Sequence, residues 1–239
     1  MILIKPIERN AMYIDTYYLI LVVPMIILSL FCQINVSSAF KKYEKVRTSR
    51  GQTGADTARN LLLRNGITDV KIESVRGRLS DHYDPRKKVL RLSESVYSGD
   101  SVAALGVAAH ETGHALQHAE SYGPMALRGA LVPPANIGSM AGPYIAMAGL
   151  ILSMDFLITL GILLFSVAVF FYIITLPVEF NASKRALEML ERDSMLSSAE
   201  LAGSKKVLNA AALTYVASAL VAVMSLLRLI LISRNRRRD

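Results

Sequence analysis

His110-Glu111-Thr112-Gly113-His114 decides how this chain is read, because two of only 4 histidines in 239 residues stand four apart, with a glutamate directly after the first. Shuffled chains of this composition would contain H-E-x-x-H about 0.3% of the time. On a helix, residues i and i+4 share a face, so both imidazoles reach one metal ion with Glu111 beside it. Zinc suits two imidazoles and a carboxylate while leaving one coordination position to water, and that water becomes a nucleophile near neutral pH. A buried structural pair of histidines would leave Glu111 without a reason.

Working outward, Asp100-Ser101 offers an N-cap for a helix running to about Glu120. Val102, Leu105, Val107, Ala108 and Ala109 make that helix apolar on most sides, so it is expected to be buried. Its ionisable side chains before Glu120 are His110, Glu111, His114 and His118. Burying such groups is costly unless they are paired or metal-bound, which favours a functional motif. The polar segment around this helix, residues 41–125, reads as a small α+β domain. Ala58, Leu61 and Leu62 give Gly54 to Asn65 helical spacing, with Gly66 as its stop. Val70 to Glu73, Leu79 to Tyr83 and Lys87 to Leu92 are the strand candidates, separated by turns at Gly77 and Asp84-Pro85.

The rest of the chain is more apolar than a soluble domain: 52% of residues are hydrophobic and the mean hydropathy is +0.37. The excess lies in blocks long enough to cross a bilayer. The expected order is a tail at 1–16, a span at 17–36, two spans within 137–177, a span at 207–232 and a basic tail at 233–239. Gly138, Gly142 and Ala146, four apart, form a small-residue face for close helix packing. Arg228 sits near the end of the last block, where a long side chain can snorkel to the interface. The fold class is therefore mainly α, an α+β domain joined to a transmembrane helical bundle of about four spans. Ser37-Ser38-Ala39 resembles a signal-peptidase site, but the block before it is long. Lys41, Lys42, Lys45, Arg47 and Arg50 follow at once, which favours an uncleaved anchor. The single Cys32 excludes an intramolecular disulfide. The net charge of +8 comes from basic residues flanking apolar blocks, so the bilayer rather than nucleic acid is the expected partner.

Two histidines need a third ligand. His118 would lie about 12 Å along the helix from His110, too far for tetrahedral coordination of one ion. Leu116 and Gln117 continue the helix where the extended H-E-x-x-H-x-x-G-x-x-H motif needs a glycine turn. Glu179, Glu188, Glu191 and Glu200 remain. Glu179 begins the polar stretch 178–206 directly after an apolar block, whereas Glu188 and Glu191 stand among exposed charges. An acidic residue at a helix start also suits the helix dipole, so the residues alone leave the choice open.

Asp81-His82-Tyr83-Asp84-Pro85, His110-Glu111-Thr112-Gly113-His114-Ala115-Leu116-Gln117-His118-Ala119 and Leu176-Pro177-Val178-Glu179-Phe180-Asn181-Ala182-Ser183 together resemble the YugP-type membrane zinc metallopeptidases of bacteria. The likeness covers nearly the whole chain. More distantly, the chain is similar to the heat-shock-type and prenyl-protein-processing membrane metallopeptidases. The resemblance implies a zincin-like domain at 41–125 and one Zn2+ per chain held by His110, His114 and Glu179. It further implies Glu111 as general base and a protein or peptide substrate. The distant relatives carry an acidic residue four positions after the ligand glutamate. Here that position is Ser183, which leaves Asn181 as a candidate outer partner. His82, Tyr83, His118, Asn181 and Tyr215, with Tyr122, are candidate outer partners or oxyanion donors among which the sequence does not choose. The strand at Lys87 to Leu92 is similar to the edge strand that holds extended substrate in zinc proteases, where main-chain pairing binds many sequences weakly.

Two classes of function remain: a membrane-embedded endopeptidase, and a non-proteolytic membrane protein with a structural zinc site. A closed structural site needs four protein ligands, and no cysteine stands near the motif to supply one. Four spans put the polar domain and the 178–206 stretch on one face of the cell membrane, with both termini opposite. Eleven basic residues flank the first face: 41, 42, 45, 47, 50, 128, 184, 185, 192, 205 and 206. Six lie opposite: Lys5, Arg9, Arg234, Arg236, Arg237 and Arg238. The majority expects the active site at the cytoplasmic face. The basic tail runs against this, so either the last block re-enters the membrane or the rule fails there. Nothing in the sequence specifies the oligomeric state.

Overall fold

The computed structural model describes residues 15–78 and 80–236. Most of the expected N-terminal tail, with Lys5 and Arg9, lies outside the described residues, as do Leu79 and the end of the basic tail with Arg237 and Arg238. The chain is mainly helical with one small sheet. Its elements are α1 (Val23–Glu44), α2 (Gly54–Arg64), β1 (Lys71–Val75), β2 (His82–Asp84), β3 (Val89–Ser93) and α3 (Glu94–Tyr97). Then follow α4 (Val102–Ala119), α5 (Gly123–Leu152), α6 (Asp155–Arg192) and α7 (Ser198–Arg236). Four helical segments are long and apolar enough to cross a membrane: Tyr18–Glu44, Gly123–Leu152, Asp155–Arg192 and Ser198–Asn235. A bilayer core of about 30 Å needs only about 20 helical residues. The 38 residues of α6 and 39 of α7 therefore leave more than a turn or two for other work.

The described residues form two compact units. One takes the described residues of Met1–Leu30, Pro133–Phe170 and Ala217–Asp239; the other takes Phe31–Val132 and Phe171–Val216. In the first, the small-residue face works as expected. A Cβ on Gly142 would fall 2.8 Å from the Phe165 backbone nitrogen, and one on Gly161 would fall 2.3 Å from that of Ala146. The two helices thus pack backbone against backbone. Large apolar side chains such as Met140, Tyr144, Phe156 and Leu163 face outward, as lipid contact requires. A π-helical turn at Tyr18–Val22 precedes Pro24, whose ring and missing N–H disturb the preceding turn. Arg228 has partners near the start of the first span. It donates from Nε to the Asp15 carboxylate at 2.7 Å and lies over the Tyr18 ring, so its charge is neutralised within the unit.

The second unit is built around α4. Ser101 caps it by accepting from the Ala104 N–H at 3.2 Å, and Glu120 ends it. The helix α2 starts with a reciprocal capping box between Thr53 and Asp56. Leu61, Leu90, Leu92, Leu105 and Val96 are fully buried around the apolar faces of α4. The sheet order is β1-β3-β2, with β1 parallel and β2 antiparallel to β3. This corrects the expectation for Lys87 to Leu92: the strand begins at Val89, lies in the middle of the sheet and is buried at four of five positions. An apolar Val-Leu-x-Leu run fits a central strand, and the edge beside the cleft described below is β2.

Several boundaries also move. The helix that carries the second apolar block begins at Gly123, ahead of 137, with Pro133, Pro134 and Pro143 all accommodated inside α5. The polar stretch 178–206 holds the C-terminal part of α6, which stops at Arg192, then Ser194 at φ 49° and the first turns of α7. The last apolar block is one unbroken helix from Ser198 to Arg236 rather than a re-entrant pair.

Candidate metal centre

The α4 register presents His110 and His114 on one face, opposite a segment of α6. Gly113 lets these helices touch: a Cβ there would fall 2.8 Å from the Ala182 carbonyl oxygen. The close approach brings Glu179 to the histidines. Its Oε2 lies 3.3 Å from His110 Nε2 and 3.6 Å from His114 Nε2. One ligand atom from each of the three residues lies within 4.8 Å of the others, and the carboxylate is 2% exposed. Bonds of about 2.0–2.1 Å in a tetrahedron separate ligand atoms by about 3.3–3.4 Å, so the donor set fits zinc in size and type.

The outer partners fit as well. Ser183 Oγ lies 3.1 Å from His110 Nδ1, and Gln117 Oε1 lies 3.0 Å from His114 Nδ1. Gln117 Oε1 can only accept, so His114 Nδ1 carries the proton and Nε2 keeps a free lone pair toward Glu179. Gln117 is itself fixed, donating to the Val178 carbonyl and to Asn181 Oδ1, both at 2.9 Å. Asn181 therefore reaches His114 through Gln117, and Ser183 provides the contact to His110 with a hydroxyl instead of a carboxylate. Burial alone would depress the His114 pKa, yet the carboxylates of Glu179 and Glu111 hold it above its ordinary value. That electric field favours a cation where the three donors converge.

Glu111 is buried and stands beside the histidines without belonging to the donor triad. Burial raises its carboxyl above the usual range, opposed by the histidines and reinforced by Glu179 and Asp81. Glu111, His114 and Glu179 line a cleft of about 640 Å³ with Asp81, Arg128 and Tyr215. Tyr215 stands beside the Glu179 carboxylate. Tyr83 OH pairs with His118 Nδ1 at 2.9 Å, and burial, with Asp69 and Asp84, pushes its pKa up to about 12. His118 ends outside the triad, as its distance along the helix requires. His82 is exposed, with Nδ1 2.8 Å from the Ser80 carbonyl and Nε2 3.3 Å from Arg91. Tyr122 lines the cleft and stacks under Arg185. Glu188 is exposed and Glu200 is spent on the Ser49 and Ser197 N–H groups, so neither joins the triad.

Sequence reasoning missed Gln117, Arg128 and Asp81 as parts of this cleft. Asp81 Oδ1 accepts from the Ser93 N–H at 2.7 Å and from its hydroxyl at 3.0 Å. Burial still holds Asp81 above the ordinary aspartate range.

A family model described as "Putative neutral zinc metallopeptidase" matches residues 18–234. The chain belongs to that family. It is 51% identical over 220 residues to a Bacillus subtilis (strain 168) protein named "Putative membrane protease YugP", covering 92% of this chain and 98% of that one. No solved structure matches it. The family name implies zinc, and His110, His114 and Glu179 could hold it.

Proposed function

We propose that this chain is a multi-pass membrane zinc metalloendopeptidase that hydrolyses peptide bonds of membrane or membrane-adjacent proteins. His110, His114 and Glu179 hold one zinc ion, and Glu111 is the general base. The observation that carries this reading is a buried glutamate that is free of the donor triad yet shares its cleft. A zinc ion there supplies the Lewis acidity that makes water nucleophilic and polarises a carbonyl. Glu111 accepts a proton as the water oxygen bonds to the scissile carbonyl carbon. It returns that proton to the amide nitrogen as the C–N bond breaks. Ser183 and Gln117 keep the two imidazoles turned with Nε2 inward. Strand β2, at an edge of its sheet and lining the cleft, offers main-chain groups to an extended substrate. A structural zinc site is less well supported, because among the described residues the donor cluster has three members and a closed site needs four.

Full-length protein purified in detergent is expected to carry about one zinc per chain and to cleave casein. A chelator should abolish cleavage, and zinc, but not magnesium, should restore it. Stoichiometric zinc without any cleavage would replace this reading by the structural one.

The orientation follows from Lys41, Lys42, Lys45, Arg47 and Arg50, all exposed directly after the first span. They support a metal site at the cytoplasmic face. A cysteine placed at exposed Ser98, in a Cys32→Ser background, should resist a membrane-impermeant thiol reagent in intact cells and react after lysis. Labelling before lysis reverses the assignment.

A further inference from the structure

Arg128 stands out among the arginines of this chain. Arg47, Arg91, Arg185 and Arg228 all donate hydrogen bonds to carboxylates or amides. Arg128 instead lines the cleft with a buried Nε that has no partner. Its Nη2 lies 3.7 Å from Glu179 Oε1, beyond the 2.7–3.2 Å of a hydrogen bond. The Glu179 carboxylate thus turns Oε2 to the histidines and Oε1 to the guanidinium. A buried unpaired N–H is costly, so its retention at this point calls for a partner that arrives with substrate.

Resting on the peptidase reading, we propose that Arg128 is a catalytic residue that donates to the scissile carbonyl oxygen as negative charge develops on it. When water adds to the carbonyl carbon, the π electron pair moves to that oxygen. When the pair returns, the C–N bond breaks and the proton on Glu111 passes to the nitrogen. Arg128 only donates hydrogen bonds, and the proton that moves is the one carried by Glu111. Its planar fork supplies donors next to Glu179, aimed where charge develops on the carbonyl oxygen. Tyr215, which interacts with both Glu179 and Arg128, lines the same cleft. Two rival roles exist for Arg128: holding Glu179 in place for the metal, and gripping a terminal carboxylate of the substrate.

Zinc-loaded full-length Arg128→Ala and Arg128→Lys, in detergent, separate these roles. The expected result for Arg128→Ala is a kcat lower by about 10²–10³-fold with KM nearly unchanged, and a smaller loss for Arg128→Lys. Millimolar guanidinium should partly restore Arg128→Ala. A peptide phosphonamidate, which mimics the tetrahedral adduct, should lose affinity in proportion to kcat/KM, whereas a peptide hydroxamate should not. Zinc affinity measured by chelator competition should stay within about threefold, against the 10–100-fold loss usual for removing an outer partner of a metal ligand. A 10-fold or greater fall in zinc affinity would overturn the inference in favour of positioning Glu179. Loss confined to peptides with a free terminal carboxylate would overturn it in favour of substrate gripping. Unchanged cleavage and phosphonamidate binding would overturn it outright. If wild-type protein neither cleaves casein nor binds the phosphonamidate, the peptidase reading itself fails.

Discussion

Glu111→Gln is expected to leave about one zinc per chain in place and to reduce casein cleavage by at least 10³-fold. Glutamine is nearly isosteric and cannot accept and return a proton, so the change removes one chemical capacity and little else. Two features of the site make this separation sharp. The donor triad is complete without Glu111, so coordination does not depend on it. Glu111 is also buried, and burial disfavours its charge, so a neutral side chain there should not destabilise the fold. The measurement is metal content by emission spectroscopy alongside the cleavage rate of the same sample. Cleavage above about one hundredth of wild type would end the general-base role.

Legibility of the sequence depended on how local each feature is. The motif helix, its Ser101 cap and the pairing of His110 with His114 follow from spacing within one helix, and all are found as expected. Glu179 joined them through an apolar block ending at Pro177 and through resemblance, since nothing in local spacing brings residue 179 to residue 110. What failed to show was non-local or small. Whether Val89–Ser93 is an edge or a central strand depends on β1 and β2 pairing on both sides of it, which its own residues encode only through their apolar run. The apolar block within 137–177 says nothing of how far its helix extends, and α5 runs back through Pro134 and Pro133 to Gly123 because a proline costs a helix one hydrogen bond and a local adjustment, which tertiary packing can offset. Ser183 read as a missing carboxylate, although a hydroxyl at the same helical position reaches the same ring nitrogen. Arg128 counted only as a flanking charge, because the sequence cannot say which arginine brings a buried, unpartnered N–H to the cleft.

The choice among the acidic residues of α6 yields the other large effect. Glu179→Ala is expected to weaken zinc binding by more than the 10–100-fold typical of an outer partner, since it removes one of three donors. It should also leave the Arg128 guanidinium in the cleft without its counter-charge, which adds to the loss by disfavouring any cation there. Glu188→Ala, on the same helix but exposed and paired only with Lys184 at 3.7 Å, should leave zinc affinity unchanged. Glu191→Ala should behave likewise. Chelator competition on the three variants, with circular dichroism to confirm that each stays folded, makes the comparison. The distances argue for the outcome: Oε2 of Glu179 is within 3.6 Å of both imidazole Nε2 atoms, as tetrahedral ligation by three residues demands. Wild-type zinc affinity in Glu179→Ala would mean that the third donor lies elsewhere and that Glu179 serves the helix or Arg128 instead.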